Sequence, residues 1–387
     1  MRLSGVADLP LHQGHVPPWL AKIMRRLAKA IVRIAIDELG AEGFLRRISN
    51  PLWFQAFNNV IGMDWDSSGS TTVTTAILKE VLNELDVGVV VAGGKGSKAR
   101  VVPKEVAVLG ERLGMPSQRA GELINVSIIC AKVDNALIQD GFALYHHTIF
   151  FDKHGKWVVV QQGMNAVKRL ARRYHLAWYV GGSEVVEEPH SGVASDVVTE
   201  PLNLSSRESR RVRMVIIDLI NDGVKAIERS ITQVNAILKG IKPLVETGMP
   251  RHVKNIPYYR PVRLSLRLLN ALNQAYEVKP SNFKELLLNT HVGPEGLRAL
   301  SLVSELIYRE PPSLNDVVTA PYNPFKYAYA IGGKDGIPFP VKRKLAETLI
   351  AELEGIIERS ELGDKDKLRA FRSLRALAPR DVTYTSI

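Results

Sequence analysis

Cysteine is almost absent from this chain of 387 residues. Cys130 is the only one, which excludes an intrachain disulfide and a cluster of thiolate metal ligands. No window approaches the run of about 18 apolar residues that a membrane-spanning helix requires. The first residues also lack the charged and apolar regions of a secretion signal. We therefore expect a cytoplasmic protein.

Acidic residues are fewer than basic ones, and the basic excess is concentrated in the second half. The chain has 51 Lys and Arg against 40 Asp and Glu. Up to Ser205 there are 22 basic and 20 acidic residues, whereas 29 basic and 20 acidic residues follow. A basic half suits binding to a phosphate backbone, because each neutralised phosphate releases counterions. The alternative is a solvated basic surface.

Length and hydrophobic patterning favour an α+β fold. A chain of this length with 45% hydrophobic residues can bury at least one full core, and we expect two or three domains. We predict a mixed α/β domain that carries the chemistry over residues 1–205. A connecting helix and linker would cover residues 206–262, and an all-α domain containing a helix-hairpin-helix would cover residues 263–387.

Apolar periodicity and turn residues place the individual elements. Helices are predicted over residues 17–40, from about residue 71, over 103–114, over about 126–140, over 166–180 and over 205–239. A strand is predicted over residues 87–92, a β-hairpin over 148–161 with its turn at 152–155, loops over 181–204 and an extended linker over 243–261.

Polar side chains are unusually dense among the apolar residues of the stretch 131–165. Clustered acids, bases and amides are typical of a functional site, and a polar loop at 187–190 would return a further acid and base to it. The candidate catalytic residues are Lys132, Asp134, Asp140, His146, His147, Gln161, Gln162 and His190. The alternative is an ordinary core in which these groups satisfy backbone partners.

Asp140 falls on the apolar stripe of the helix predicted before it. A buried carboxylate must be neutral, paired with a cation or bound to a metal. Alternatively, Gly141 ends the helix and turns Asp140 outward. With Asp134 and with Asp64 of an earlier polar loop, Asp140 forms a candidate site for Mg²⁺ or Mn²⁺.

Two cationic segments suit contacts with phosphate. The glycine-rich loop after the predicted strand carries Lys95, Lys98 and Arg100, and its spacing is not that of a Walker A loop. Arg172 and Arg173 lie in the helix predicted over 166–180, beside aromatic residues that could stack on bases.

The stretch 283–308 resembles the helix-hairpin-helix motif of DNA repair and replication proteins. It has an apolar helix end, a tight turn around Val292 and Gly293, and a second helix whose first N–H groups would face a phosphate. His291 replaces the first glycine of the motif, and Glu295 stands where many members carry Lys. The candidate DNA contacts here are His291, Val292, Gly293, Gly296 and Arg298, with Lys334 in a later glycine-rich segment. The alternative is a plain helical turn.

Five segments are similar to those of a prokaryotic family of unknown function, seen chiefly in archaea and thermophilic bacteria. They are GVADLPLHQG, WDSSGSTT, VAGGKG, KVDNALIQDGFALYHH and WVVVQQGMN. The resemblance covers the first half well and implies a link to DNA-lesion processing.

Together these features favour a DNA repair enzyme, an endonuclease that cleaves damaged duplex DNA at an altered base. Asp64, Asp134 and Asp140 would hold the metal, and His146 or His147 would act as general base. One alternative is a DNA glycosylase or lyase with Lys132 as the amine nucleophile. Another is a DNA-binding protein without catalysis. No membrane partner is expected, and homo-oligomer formation is left open.

Overall fold

A five-stranded antiparallel sheet, covered by helices on both faces, forms the centre of the computed structural model. The structure describes residues 16–62, 69–181, 185–240, 256–319 and 343–376. The predicted α+β class is confirmed, with the sheet in the N-terminal half and helices in the C-terminal region. Within the described residues, none of the helices combines the length and apolarity needed to cross a membrane.

Helices precede and interrupt the first part of the sheet. They are α1 (Pro18–Ile48), α2 (Pro51–Val60), α3 (Gly69–Leu85), α4 (Ser97–Arg100), α5 (Val102–Arg112) and α6 (Ser117–Lys132), and a single π-helical turn (Val133–Leu137) continues α6. The strands are β1 (Val89–Lys95), β2 (Ile138–Gln139), β3 (Ala143–Asp152), β4 (Trp157–Asn165), β5 (Leu170–Ala177), β6 (His190–Ala194) and β7 (Leu202–Asn203).

The chain after β7 is mainly helical. Its helices are α7 (Arg210–Asp222), α8 (Val224–Leu238), α9 (Leu266–Val278), α10 (Phe283–Asn289), α11 (Pro294–Tyr308), α12 (Arg343–Arg359) and α13 (Asp364–Arg375), with 3-10 turns at Arg207–Ser209 and Pro257–Tyr259.

The strand order in the main sheet is β1-β3-β4-β5-β6, and every neighbouring pair is antiparallel. Side chains alternate between faces, so β1, β3, β4 and β5 each contribute to two apolar cores. Val90 of β1 lies in the core beneath α5 to α11, whereas Val89 and Val91 lie in the core shared with α1 to α3. Helices α12 and α13 also belong to that second core. The boundaries predicted at residues 205 and 262 stay predictions.

The hairpin prediction is confirmed, with β3 and β4 joined by a turn at Lys153 and His154. Three helix predictions were wrong. Residues 170–177 form a strand because they complete the sheet beside β4. The helix predicted over 205–239 breaks at Gly223, whose φ of 100° is incompatible with a helix. The helix before Asp140 ends in the π-turn and β2. Most of the linker predicted over 243–261 lies outside the described residues.

Candidate functional site

Polar side chains form a row across one face of the sheet. Residues paired on neighbouring antiparallel strands point to the same face, and His147 pairs with Gln161, which pairs with Tyr174. A β-bulge at Tyr145 interrupts the pairing just before this row. Bulges often occur beside active sites, where they redirect side chains. The three side chains are buried and face α6 and the π-turn.

The amide of Gln161 fixes the direction of the hydrogen bonds in this row. Its Nε2 donates to the carbonyl oxygen of Cys130 at 3.1 Å and to Oδ2 of Asp134 at 2.6 Å. Both partners accept, so the amide nitrogen must be on that side. Its Oε1 therefore faces Nδ1 of His147, 2.7 Å away, and accepts the proton on that nitrogen.

This bond determines the tautomer of His147. With the proton on Nδ1, the Nε2 of the neutral ring is a bare acceptor. Ser127 Oγ lies 2.7 Å from that Nε2, so the serine hydroxyl donates to the imidazole. The result is a hydroxyl, an imidazole and an orienting amide in series, which is the arrangement of an activated nucleophile and its base.

Asp134 and His190 extend the same chain of hydrogen bonds. The π-turn carries Asp134 under the sheet, and single π-turns within helices are frequent at functional sites. His190 Nε2 lies 2.6 Å from Asp134 Oδ1. The polar loop at 187–190 thus returns its base to the site as predicted. Its acid does not arrive, because Glu187 pairs with Arg210 and Arg213.

Burial keeps His147 neutral. Desolvation lowers the pKa of His147 below 6.5, and the hydrogen bond to Gln161 and the charge of Asp134 oppose this only partly. A neutral imidazole with a bare nitrogen can take a proton at neutral pH. His147 therefore fits the role of general base.

A second polar row lies on the opposite face of the sheet. It contains His146, Gln162 and Arg173, paired across β3, β4 and β5. Thr75 Oγ1 donates to the carbonyl oxygen of Thr71 at 2.8 Å, so it accepts from Nε2 of His146, 2.9 Å away. Nδ1 of His146 is then a bare acceptor, and within the described residues it has no partner. Burial, followed by the charges of His147 and Lys95, lowers the pKa of His146 to about 3.

Two cavities flank the glycine-rich loop at the edge of the sheet. One, of about 580 Å³, lies on the α6 side and is lined by Ser127, His147 and Arg100. The other, of about 800 Å³, lies on the α3 side and is lined by His146, Lys95 and Lys98 among others. The predicted loop cations are exposed, as phosphate contacts would require.

Asp140 is buried as the sequence predicted, and its partners are cationic and phenolic. Its Oδ2 accepts from Arg172 Nη1 at 2.8 Å and from the Tyr174 hydroxyl at 2.7 Å, while its Oδ1 accepts from the Phe142 N–H at 2.9 Å. Arg172 also pairs with Asp316 at 2.9 Å. Burial raises the pKa of Asp140, and the charge of Arg172 opposes this.

Arg172 and Arg173 were predicted as surface DNA contacts on a helix, and this placement was wrong. Both side chains are fully buried on β5. Arg173 donates to the side-chain oxygen of Gln55 at 3.2 Å and to Nε2 of His175 at 3.1 Å. A buried guanidinium must be paired in this way, and it does not reach a surface on which DNA could lie.

Two of the three predicted metal ligands, Asp134 and Asp140, lie in the part of the chain that the structure describes. No three His, Cys, Asp or Glu side chains are grouped there to hold an ion. The oxygens of Asp134 and Asp140 already accept hydrogen bonds, so these residues fit a metal poorly. Asp64 and Lys334 lie outside the described residues.

The helical hairpin formed by α10 and α11 packs directly against the stretch 131–165. Lys132 Nζ donates to the carbonyl oxygens of Leu287 and, at 3.2 Å, of Thr290, at the end of α10. Gln139 Nε2 donates to the carbonyl oxygen of Pro294 at 2.8 Å. Lys132 is therefore placed as a cap of α10, and burial lowers its pKa. The polar stretch 131–165 and the helical hairpin, which are far apart in the sequence, are therefore in contact.

The hairpin residues differ in exposure. His291 is exposed, while Val292 is buried against Gly296, where an added Cβ would lie 2.9 Å from the valine side chain. Arg298 is also buried, and it donates to the carbonyl oxygens of Tyr258 and Arg260. Gly293 caps α11 without a side-chain hydrogen bond.

Gln162 lies apart from the row of Gln161, and two residues were missing from the predicted site. Gln162 donates to the Tyr145 hydroxyl and does not reach the Gln161 row. Ser127 and Thr75 were missed because a serine or threonine inside an apolar helix carries no motif. The one signal in the sequence is that Ser127 shares a helical stripe with Leu123 and Cys130, both of which are buried.

Comparison with known proteins identifies a family. The model of the family described as "Protein of unknown function (DUF763)" matches residues 5–341. No curated protein matches the chain, and no solved structure does.

Proposed function

We propose that this chain, which belongs to the DUF763 family of proteins of unknown function, is a DNA-processing enzyme that cleaves phosphodiester bonds at an altered base. The observation that carries the proposal is the pair of Ser127 and His147, joined at 2.7 Å in the wall of a cavity of about 580 Å³. Arg100 lines the same cavity, so an anionic substrate would meet a cation beside the base.

The chemistry follows from the protonation states. His147 is neutral and its Nε2 accepts, so it can take a proton during attack on a phosphorus atom. Gln161 holds the ring through Nδ1, and Asp134 holds Gln161. A base held by two successive hydrogen bonds keeps its geometry as the substrate enters.

Two surfaces would hold the DNA. The exposed cations of the glycine-rich loop lie beside both cavities. The hairpin offers the N–H groups of Glu295 and Gly296 in the first turn of α11, since its first residue, Pro294, has none. Arg263 and Arg267 are exposed on the segment that enters α9, and Leu268 of α9 lies against Gly296. Among the described residues, the ion pairs beside this surface join Arg260 and Arg298 to Glu295 and include neither of the two arginines.

The lysine-dependent alternative has one observation in its favour. Burial lowers the pKa of Lys132, as an amine nucleophile requires. Against it, Lys132 Nζ donates to two backbone carbonyls of the hairpin. We therefore assign Lys132 to holding the hairpin and keep the lyase as an outcome of the test.

The proposed activity is tested with labelled duplexes, undamaged or carrying single altered bases, in Mg²⁺, Mn²⁺ or EDTA. His147→Gln is expected to reduce cleavage by about 100-fold or more, because the general base is lost while the amide can still bond to Gln161. His154→Gln, in the exposed β3–β4 turn, is the matched control.

Other outcomes would redirect the assignment. If cleavage occurs with Mg²⁺ or Mn²⁺ and is lost in EDTA, the reaction requires a metal ion. Cleavage that survives EDTA, requires Lys132 and is trapped by borohydride would identify the lyase. Binding without product in any condition would leave a DNA-binding protein and end the proposal of an enzyme.

The surface formed by the hairpin and the start of α9 can be tested separately through its DNA affinity. Arg263→Ala with Arg267→Ala is expected to reduce the slope of log affinity against log salt by about 2, since each lost phosphate contact contributes about 0.9. The control is Lys365→Ala with Arg372→Ala on α13, a helix in the other core. Equal slopes for both double variants would remove the hairpin from the binding surface.

A further inference from the structure

We infer that Ser127 is a nucleophile that forms a covalent phosphoserine intermediate. This inference rests on the proposed function for its substrate class, a phosphodiester, but its chemistry stands on the geometry alone. Ser127 was not among the residues that the sequence pointed to, and it lies on α6, across from the sheet that carries His147.

The Ser127 hydroxyl donates to the imidazole of His147 and not to a carbonyl of its own helix. A serine inside a helix usually donates to the carbonyl oxygen four residues earlier. Ser301 of α11 does so, with Oγ 2.7 Å from the carbonyl oxygen of Leu297. Ser127 instead donates to Nε2 of His147, because the Gln161 amide leaves that nitrogen no proton of its own. The proton that His147 can take is therefore that of Ser127.

The position of the hydroxyl is the second step. Ser127 and His147 are both buried, yet both line the cavity on the α6 side. The side chains of Arg100 and Asn135 are exposed at the same cavity and could bond to the oxygens of a phosphoryl group. Since the imidazole nitrogen is occupied by the serine, a water molecule would have to displace Ser127 before it could use the same base.

The support behind His147 is the third step. Asp134 accepts from Gln161 and His190, so a negative charge lies two hydrogen bonds from the imidazole. When His147 becomes cationic, that charge stabilises it without direct contact. The Cys130 carbonyl already accepts a hydrogen bond from the Gln161 amide, so the amide does not require a buried carboxylate that is itself bonded to a second histidine.

The reaction balances with these groups. Ser127 Oγ attacks phosphorus as His147 Nε2 takes its proton; the Oγ–P bond forms, and the P–O bond to one deoxyribose breaks. The leaving oxygen receives the proton from His147. Water then attacks the phosphoserine, His147 takes a proton from the water, the Oγ–P bond breaks, and Ser127 recovers a proton. The products are one free hydroxyl end and one phosphate end.

The test uses diisopropyl fluorophosphate on the full chain, followed by intact mass and peptide mapping. In this probe the P–F bond breaks as the Oγ–P bond forms, so no DNA is required. We expect one adduct at Ser127, none in Ser127→Ala, and at least about a 100-fold slower reaction in His147→Gln. Ser301→Ala, which removes a buried helical serine with an ordinary carbonyl bond, is expected to label like the wild type.

The outcomes separate the two proposals. No adduct at Ser127 in a folded wild-type protein, or equal labelling in His147→Gln, would overturn the nucleophile. Labelling at Ser127 without DNA cleavage would uphold the nucleophile and end the proposed DNA substrate. Cleavage that persists in Ser127→Ala would overturn the nucleophile and leave the proposed function standing. Circular dichroism and denaturant unfolding check that each variant is folded, and Ser127→Cys tests the same position with a second nucleophile of similar size.

Discussion

Replacement of Arg172 by methionine is expected to lower the free energy of unfolding by about 3–5 kcal/mol, because it leaves two carboxylates buried without their cation. Arg172 Nη1 lies 2.8 Å from Asp140 and 2.9 Å from Asp316, and its side chain is fully buried. Asp140 can partly escape by protonation, since burial already raises its pKa. Chemical denaturation at pH 7 measures the loss.

Two further variants serve as comparisons. Arg172→Lys should recover only part of the stability, because a single ammonium cannot reach both carboxylates with the fork of a guanidinium. Arg369→Met on α13, where the described residues place no such pair of buried carboxylates, should change stability by less than about 0.5 kcal/mol. If Arg172→Met instead weakens DNA binding with unchanged stability, the guanidinium lies at the surface and the buried ion pair is wrong.

The part of the site formed by the β3–β4 hairpin could be predicted from the sequence. β-Branched and aromatic residues on both sides of an Asp-Lys-His-Gly turn define the two strands and bring His147 level with Gln161. The burial of Asp140 was also expected, although the helical stripe that predicted it is replaced by the π-turn and β2. For the hairpin, the information is local, within a few residues of the groups concerned.

The rest depended on partners distant in the chain. Residues 166–180 have the pattern of a basic helix, because no neighbouring residue indicates that Arg172 pairs with Asp316, 144 positions away. Buried arginines are rare enough that a surface helix is the better guess from sequence alone. Ser127 was missed for a related reason. Its role comes from the tautomer of His147, which is set by Gln161 from another strand.

The contact between the helical hairpin and the stretch 131–165 also depends on partners that are distant in the chain. Lys132 reads as a candidate amine nucleophile because it stands among acids and amides. Its Nζ is directed instead to carbonyls that lie 155 and 158 positions later. A lysine that satisfies the end of a helix and one that awaits a substrate have the same sequence signature. Only the position of α10 distinguishes them.

The neutral, buried state of His146 predicts acid sensitivity. Its folded pKa of about 3 lies below the ordinary 6.5, so the unfolded chain binds the proton first as the pH falls. The contribution of His146 to stability is therefore complete above pH 6.5 and is lost as the pH falls toward 3. At about 1.4 kcal/mol per pH unit, the whole interval corresponds to about 5 kcal/mol.

His146→Gln isolates this contribution, because glutamine keeps a donor for Thr75 and cannot titrate. Between pH 7 and pH 4.5 the wild type should lose about 3 kcal/mol more than the variant. Burial also lowers the pKa values of His147 and His175, so the wild type and the variant share a remaining acid-labile background. Denaturant unfolding at the two pH values measures the difference, and His154→Gln is the exposed control. Equal pH dependence in the wild type and His146→Gln would mean that the imidazole is solvated or already paired, and that the cavity on the α3 side does not hold a bare acceptor.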